Sequence, residues 1–192
     1  AIRPLKGGTL MQWLNEPPQF ADENGRVTVL AAPRTDFWRV THDGGVRDTG
    51  HFYYQTVRGD FTAEVQFSGE YRDLYDQAGL MLRVDETTWV KCGVEFTDGR
   101  QNASVVVTRD FSDWSIVPLP DDPPALWLRV KRHGVTVEVS YSLDGTAYTM
   151  LRQAYFTDRP EIQVGLMVAA PTGEGFTARF EGFTVTPLEG EA

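Results

Sequence analysis

The chain has 192 residues, with 27 acidic against 18 basic side chains and a net charge of −9. It therefore lacks the positive field that phosphate-backbone binding draws on, and nucleic acid is not an expected partner. With 41% hydrophobic and 12% aromatic residues, it suits one well-cored domain over residues 1–192, the core falling at about 10–187. No apolar run is long enough for a membrane span, and Ala1-Ile2-Arg3-Pro4-Leu5-Lys6 lacks the apolar core of a signal peptide, so a cytoplasmic protein is expected.

The hydrophobic pattern has a period of two from end to end. Strands are expected over Gly25 to Ala32, Asp36 to Thr41, Phe52 to Val57, Phe61 to Gly69, Gln77 to Val84, Trp89 to Phe96, Ser104 to Arg109 and Ser115 to Leu119. They continue over Leu126 to Arg132, Val135 to Leu143, Ala147 to Tyr155, Ile162 to Ala169 and Phe176 to Val185. Tight turns are marked by Arg58-Gly59-Asp60, Asp98-Gly99, His133-Gly134 and Asp144-Gly145. About a dozen strands with almost no helical period imply an all-β sandwich or barrel. Pro118 to Pro124 reads as a long loop inside it.

Within Gln77 to Val84, one face carries Ala78, Leu80, Leu82 and Val84 and the other Gln77, Gly79, Met81 and Arg83. Trp89, Lys91, Gly93 and Glu95 share a face in the next strand. A hairpin through Asp85-Glu86-Thr87-Thr88 sets these polar faces side by side over a floor of Gly79 and Gly93. Cys92 alternates inward with Val90 and Val94. As the only cysteine, it excludes an intrachain disulfide and a four-thiolate zinc site. Asp76 is placed to hold a turn at the start of its strand.

The densest chemistry lies at Asp36-Phe37-Trp38-Arg39-Val40-Thr41-His42 and Asp48-Thr49-Gly50-His51-Phe52-Tyr53. An antiparallel hairpin around residues 43–50 would set His42 opposite His51, with Trp38, Asp36 and Tyr53 on their face. With Asp36 or Asp48, such a pair has the donors for a divalent metal, or can divide acid and base roles with Glu95 as partner. Arg83, Lys91 and Gln77 are candidate contacts for ligand hydroxyls, and Trp38, Trp89 and Trp114 are candidate stacking surfaces. A hydrogen-bonded hairpin rim, solvated charges and core tryptophans remain open for the same residues.

These motifs, with Asn15-Glu16-Pro17-Pro18, Gly59-Asp60-Phe61, Tyr75-Asp76-Gln77-Ala78-Gly79-Leu80-Met81, Ser112-Asp113-Trp114-Ser115 and Ser142-Leu143-Asp144-Gly145, resemble the DUF1349 or regulation-of-enolase family. That family belongs to the concanavalin A-like lectin/glucanase superfamily. The resemblance implies a jelly-roll sandwich of two antiparallel sheets whose concave face is the ligand surface. The superfamily's glucanases carry Glu-x-Asp-x-x-Glu or Glu-x-Asp-x-Glu on one strand. Here Glu64 is followed at that spacing by Gln66 and Glu95 by Thr97, so their hydrolytic mechanism does not carry over. Three functions stand side by side: a module binding a carbohydrate or similar polar small molecule, a stand-alone enzyme using His42, His51 and Glu95, and a regulatory partner of a metabolic enzyme.

Overall fold

The computed structural model describes residues 10–188. With strands numbered along the chain, one sheet runs in spatial order β1 (Gln12–Leu14), β6 (His51–Arg58), β15 (Glu161–Ala169), β8 (Gln77–Asp85), β9 (Thr88–Thr97), β10 (Arg100–Arg109) and β11 (Phe111–Pro118). The second runs β14 (Tyr148–Tyr155), β13 (Thr136–Ser142), β12 (Leu126–His133), β7 (Phe61–Gly69), β16 (Thr177–Pro187), β3 (Arg26–Leu30) and β2 (Gln19–Glu23). A small hairpin of β4 (Phe37–Arg39) and β5 (Val46–Asp48) stands apart from both. All strand neighbours pair antiparallel, and the two sheets stack as a jelly-roll sandwich.

Alternation decides what lies between the sheets. Ala78, Leu80 and Leu82 of β8, Val90, Cys92 and Val94 of β9, and Ala103, Val105 and Val107 of β10 meet Val65, Phe67, Leu128, Val130 and Phe180 in one continuous core. Each such Val, Leu or Phe side chain contributes roughly 1.5–3 kcal/mol by leaving water. The Cys92 thiol is sealed there, and burial pushes its pKa up to about 12, which makes it a packing residue.

The β8–β9 hairpin sets the two polar faces side by side as expected, with Gln77 opposite Glu95, Gly79 opposite Gly93 and Met81 opposite Lys91. The glycine pair is demanded by the close approach of the two backbones. A Cβ on Gly93 would lie 2.0 Å from the Ala78 carbonyl oxygen, and Gly93 has a φ of +151°.

The sheet is sandwiched on both faces, which period two does not reveal. On the side away from the main core, Phe37 of β4 packs with Phe52, Met81, Trp89, Val106, Met167 and Ala169 in a second, smaller core. The β4–β5 hairpin is thus a cap over part of the outer face. Three short strands escaped the expected set, namely β1, β2 and β5. The expected strand Asp36 to Thr41 shortens to Phe37–Arg39 and pairs with β5, not with the strand beginning at His51.

Gly93→Ala should cost about 3 kcal/mol or more, combining backbone strain with overpacking. Gly99→Ala, at a positive φ but with open space around it, should cost only about 1 kcal/mol. Urea unfolding of the two variants measures the contrast, and equal losses would contradict the steric account.

Candidate functional site

A cleft of about 1510 Å³ opens on the part of the outer face that the cap leaves uncovered. Asp36, Trp38, His42 and Asp48 border it from the cap, Gln77 from β8, Lys91 and Glu95 from β9, and Trp114 from the edge strand β11. Tyr75, just before β8, completes the wall. It was not singled out from sequence, although it directly precedes the Asp76-Gln77 pair that was.

Cap and sheet are joined by ion pairs. The Lys91 ammonium, on a side chain only 5% exposed, donates to Asp36 Oδ1 at 3.2 Å and to the Phe37 carbonyl at 2.7 Å. Arg83 donates through both terminal nitrogens to Asp48, at 2.6 and 2.8 Å. Such planar two-point pairing fixes direction as well as distance. Arg83 is consequently a fastener beneath the cap, and the ligand role expected for it is withdrawn. Trp89 is corrected likewise. It lies on the expected face but is fully buried under the cap, its ring 6.1 Å from that of Phe37.

The facing histidine pair is overturned. Val40 and His42 adopt positive φ, at 63° and 77°, and turn the chain so that β4 returns along β5. His42 stays exposed on the cleft rim. His51 lies in β6 between β1 and β15, and is 2% exposed. Its Nε2 accepts the Ala32 N–H at 2.9 Å, so its Nδ1–H donates to the Asn15 carbonyl at 2.6 Å. With both nitrogens committed, His51 offers no lone pair to a metal and no free site for a proton. Burial holds its pKa below the usual value, against the Asn15 hydrogen bond that raises it. Tyr53 shares the parity of His51. It stacks on Trp13 at 4.6 Å, donates to Asp22 at 3.0 Å, and leaves the cleft entirely. Among the described residues, no group of three His, Cys, Asp or Glu side chains is arranged to hold a metal.

Asp76 has the structural role expected of it. Its Oδ2 accepts the backbone N–H groups of Arg72 and Asp73 at 3.0 and 2.9 Å.

Glu95 is the chemical centre of what remains. It is 7% exposed, and its Oε2 accepts the Ser104 hydroxyl at 2.8 Å and the Trp114 indole N–H at 2.9 Å. Burial pushes its pKa above the carboxylate range, opposed by Lys91 and by those two hydrogen bonds. Trp114 stands at 89° to Trp38 and 80° to Tyr75, with ring centres 6.5 and 6.3 Å away. The arrangement offers aromatic surface, hydroxyl-matching acceptors and a donor amide in one hollow.

The family model described as "Protein of unknown function (DUF1349)" matches residues 13–188. The chain belongs to this DUF1349 family. Regulation of enolase protein 1 of Saccharomyces cerevisiae is 37% identical over 180 residues, 94% of this chain and 91% of that one. A crystal structure of a functionally unknown protein from Saccharomyces cerevisiae has a TM-score of 0.90 at 36% identity, covering 94% of this chain and 97% of that one. The carbohydrate binding module CBM66 from Bacillus subtilis shares the fold alone, with a TM-score of 0.61 at 14% identity over 94% of this chain and 97% of its own.

His51→Ala should destabilise this DUF1349 domain by about 2–4 kcal/mol at pH 8, from lost packing and an orphaned Ala32 N–H. The imidazole takes a proton more readily in the unfolded chain, so its contribution is complete above about pH 6.5 and is lost as pH falls toward the lowered folded value. The stability gap between wild type and His51→Ala should therefore narrow from pH 7.5 to pH 5. A gap that widens on acidification would mean that the folded histidine is protonated.

Proposed function

We propose that the outer-face cleft binds a polyhydroxylated small molecule, a sugar or a compound with sugar-like hydroxyls. The observation that carries this reading is the latch between Trp114 and Glu95. An indole 41% exposed lends its N–H to a buried carboxylate and keeps its ring at the mouth of the cleft. Aromatic rings provide area for the C–H face of a sugar ring, while Glu95, Gln77 and Asp36 present acceptors and donors to its hydroxyls. The cations beside them are already matched, Lys91 by Asp36, Arg83 by Asp48 and Arg47 by Asp43. The likeness to a carbohydrate binding module is one of fold and is consistent with this reading. The name of the yeast relative adds a regulatory setting, in which ligand occupancy of the cleft would be sensed by a partner.

Saturation-transfer NMR against a panel of free mono- and disaccharides tests the proposal. At least one should bind saturably, and Trp114→Ala, confirmed folded by its thermal transition, should weaken it tenfold or more, about 1.4 kcal/mol. Absence of saturable binding across the panel, or full binding by Trp114→Ala, would overturn it.

A further inference from the structure

Four of the carboxylates around the cleft are matched with cations. Asp36 faces Lys91 at 3.2 Å, Asp48 holds Arg83 at 2.6 Å, Asp43 pairs with Arg47, and Asp113 meets Arg152 at 3.3 Å. Glu95 is the exception. It is more deeply buried than any of these four carboxylates, yet it forms no ion pair with any described residue. Its two neutral donors, Ser104 and Trp114, both serve Oε2, and Oε1 has no hydrogen-bond partner among the described residues. The Lys91 ammonium is directed to Asp36 and the Phe37 carbonyl, so it acts on Glu95 only through space and donates no hydrogen bond to it. Oε1 is thus the oxygen left open to the cleft, and a carboxylate otherwise withdrawn from water and without an ion-pair partner gains from an arriving cation.

The walls favour the same visitor. Trp38 and Tyr75 both stand nearly perpendicular to Trp114, forming an aromatic corner beside the Glu95 carboxylate. The π faces of such rings are negative and attract organic cations, most strongly at indole and away from water. Neutral hydroxyls alone would not require an unmatched buried acid in that corner.

We infer that the natural ligand carries a protonated amine, with Glu95 as its counter-ion and Trp38, Trp114 and Tyr75 as the enclosing rings. Resting on the hydroxyl-binding reading above, this makes an amino sugar the favoured class. The ammonium takes the place beside Oε1 and the sugar ring lies against the indole.

The test compares glucosamine, N-acetylglucosamine and glucose by calorimetric titration of the full chain at pH 7. Glucosamine should bind at least tenfold more tightly than the other two, since acetylation removes the charge while keeping the ring. In Glu95→Gln, confirmed folded by its thermal transition, the glucosamine-to-glucose ratio should fall to near one. Tyr75→Leu, which leaves Glu95 and its donors intact, should reduce the same ratio severalfold. Equal affinities in the wild type, or a ratio that survives Glu95→Gln, would overturn the amine assignment while leaving the hydroxyl-binding reading in place. Failure of all three sugars together with the neutral panel would remove both.

Discussion

A lysine ammonium in the middle of a sheet face sets the layout of this molecule. Lys91 projects from β9 onto the outer face and is almost wholly desolvated there. Removing an ammonium from water costs several kcal/mol unless it is matched at close range. Asp36 and the Phe37 carbonyl supply that match, and they are adjacent in the chain, so satisfying Lys91 also fixes where Phe37 enters. Phe37 then meets Phe52, Met81, Trp89 and Met167. Arg83 and Asp48 hold the returning limb of the cap by the same means. Polar matching chooses the position, apolar burial stabilises it, and the cleft is the part of the face that the cap does not reach.

That division explains which residues could be read from sequence. Period two correctly grouped Gln77, Met81 and Arg83, and Trp89, Lys91 and Glu95, and the expected hairpin placed the two groups side by side, while the irregularity near Arg83 and Asp85 that sets their register was not legible. It could not distinguish Trp89 from Glu95. Both share a parity, and only the distant segment at Phe37 makes one a core residue and the other a cleft residue. Tyr53 shows a related limit. It was rightly assigned to the face of His51, but strands covered on both sides carry apolar residues on both faces, so parity does not say which face is the site.

The histidines failed for a conformational reason. Facing positions at the two ends of a loop require the flanking strands to pair, and here Val40 occupies a left-handed conformation that a β-branched side chain rarely adopts. The chain reverses there, β4 finds β5, and His51 is left to β6. Its partners then come from elsewhere. Asn15, in the Asn15-Glu16-Pro17-Pro18 motif, accepts from His51 and donates its side-chain amide to the carbonyls of Asp48 and Gly50 at 2.8 and 2.9 Å. The imidazole thus orients a residue that fastens the end of the cap. What looked like reactive chemistry in the sequence is architecture one step removed from the cleft.

The same cap also governs the aromatic wall. β11 is an edge strand, paired only with β10 within its sheet, and edge strands have half the ladder of a central strand to hold them. Here the shortfall is made up from the cap. The Arg39 N–H donates to the Ser112 hydroxyl at 2.9 Å, Arg39 Nε donates to the Asp110 carbonyl at 3.2 Å, and Trp38 abuts Trp114. Trp114 in turn holds Glu95. The Trp38–Trp114 contact is therefore where the cap, the edge strand and the buried acid meet, across a seam held by hydrogen bonds and ring contacts.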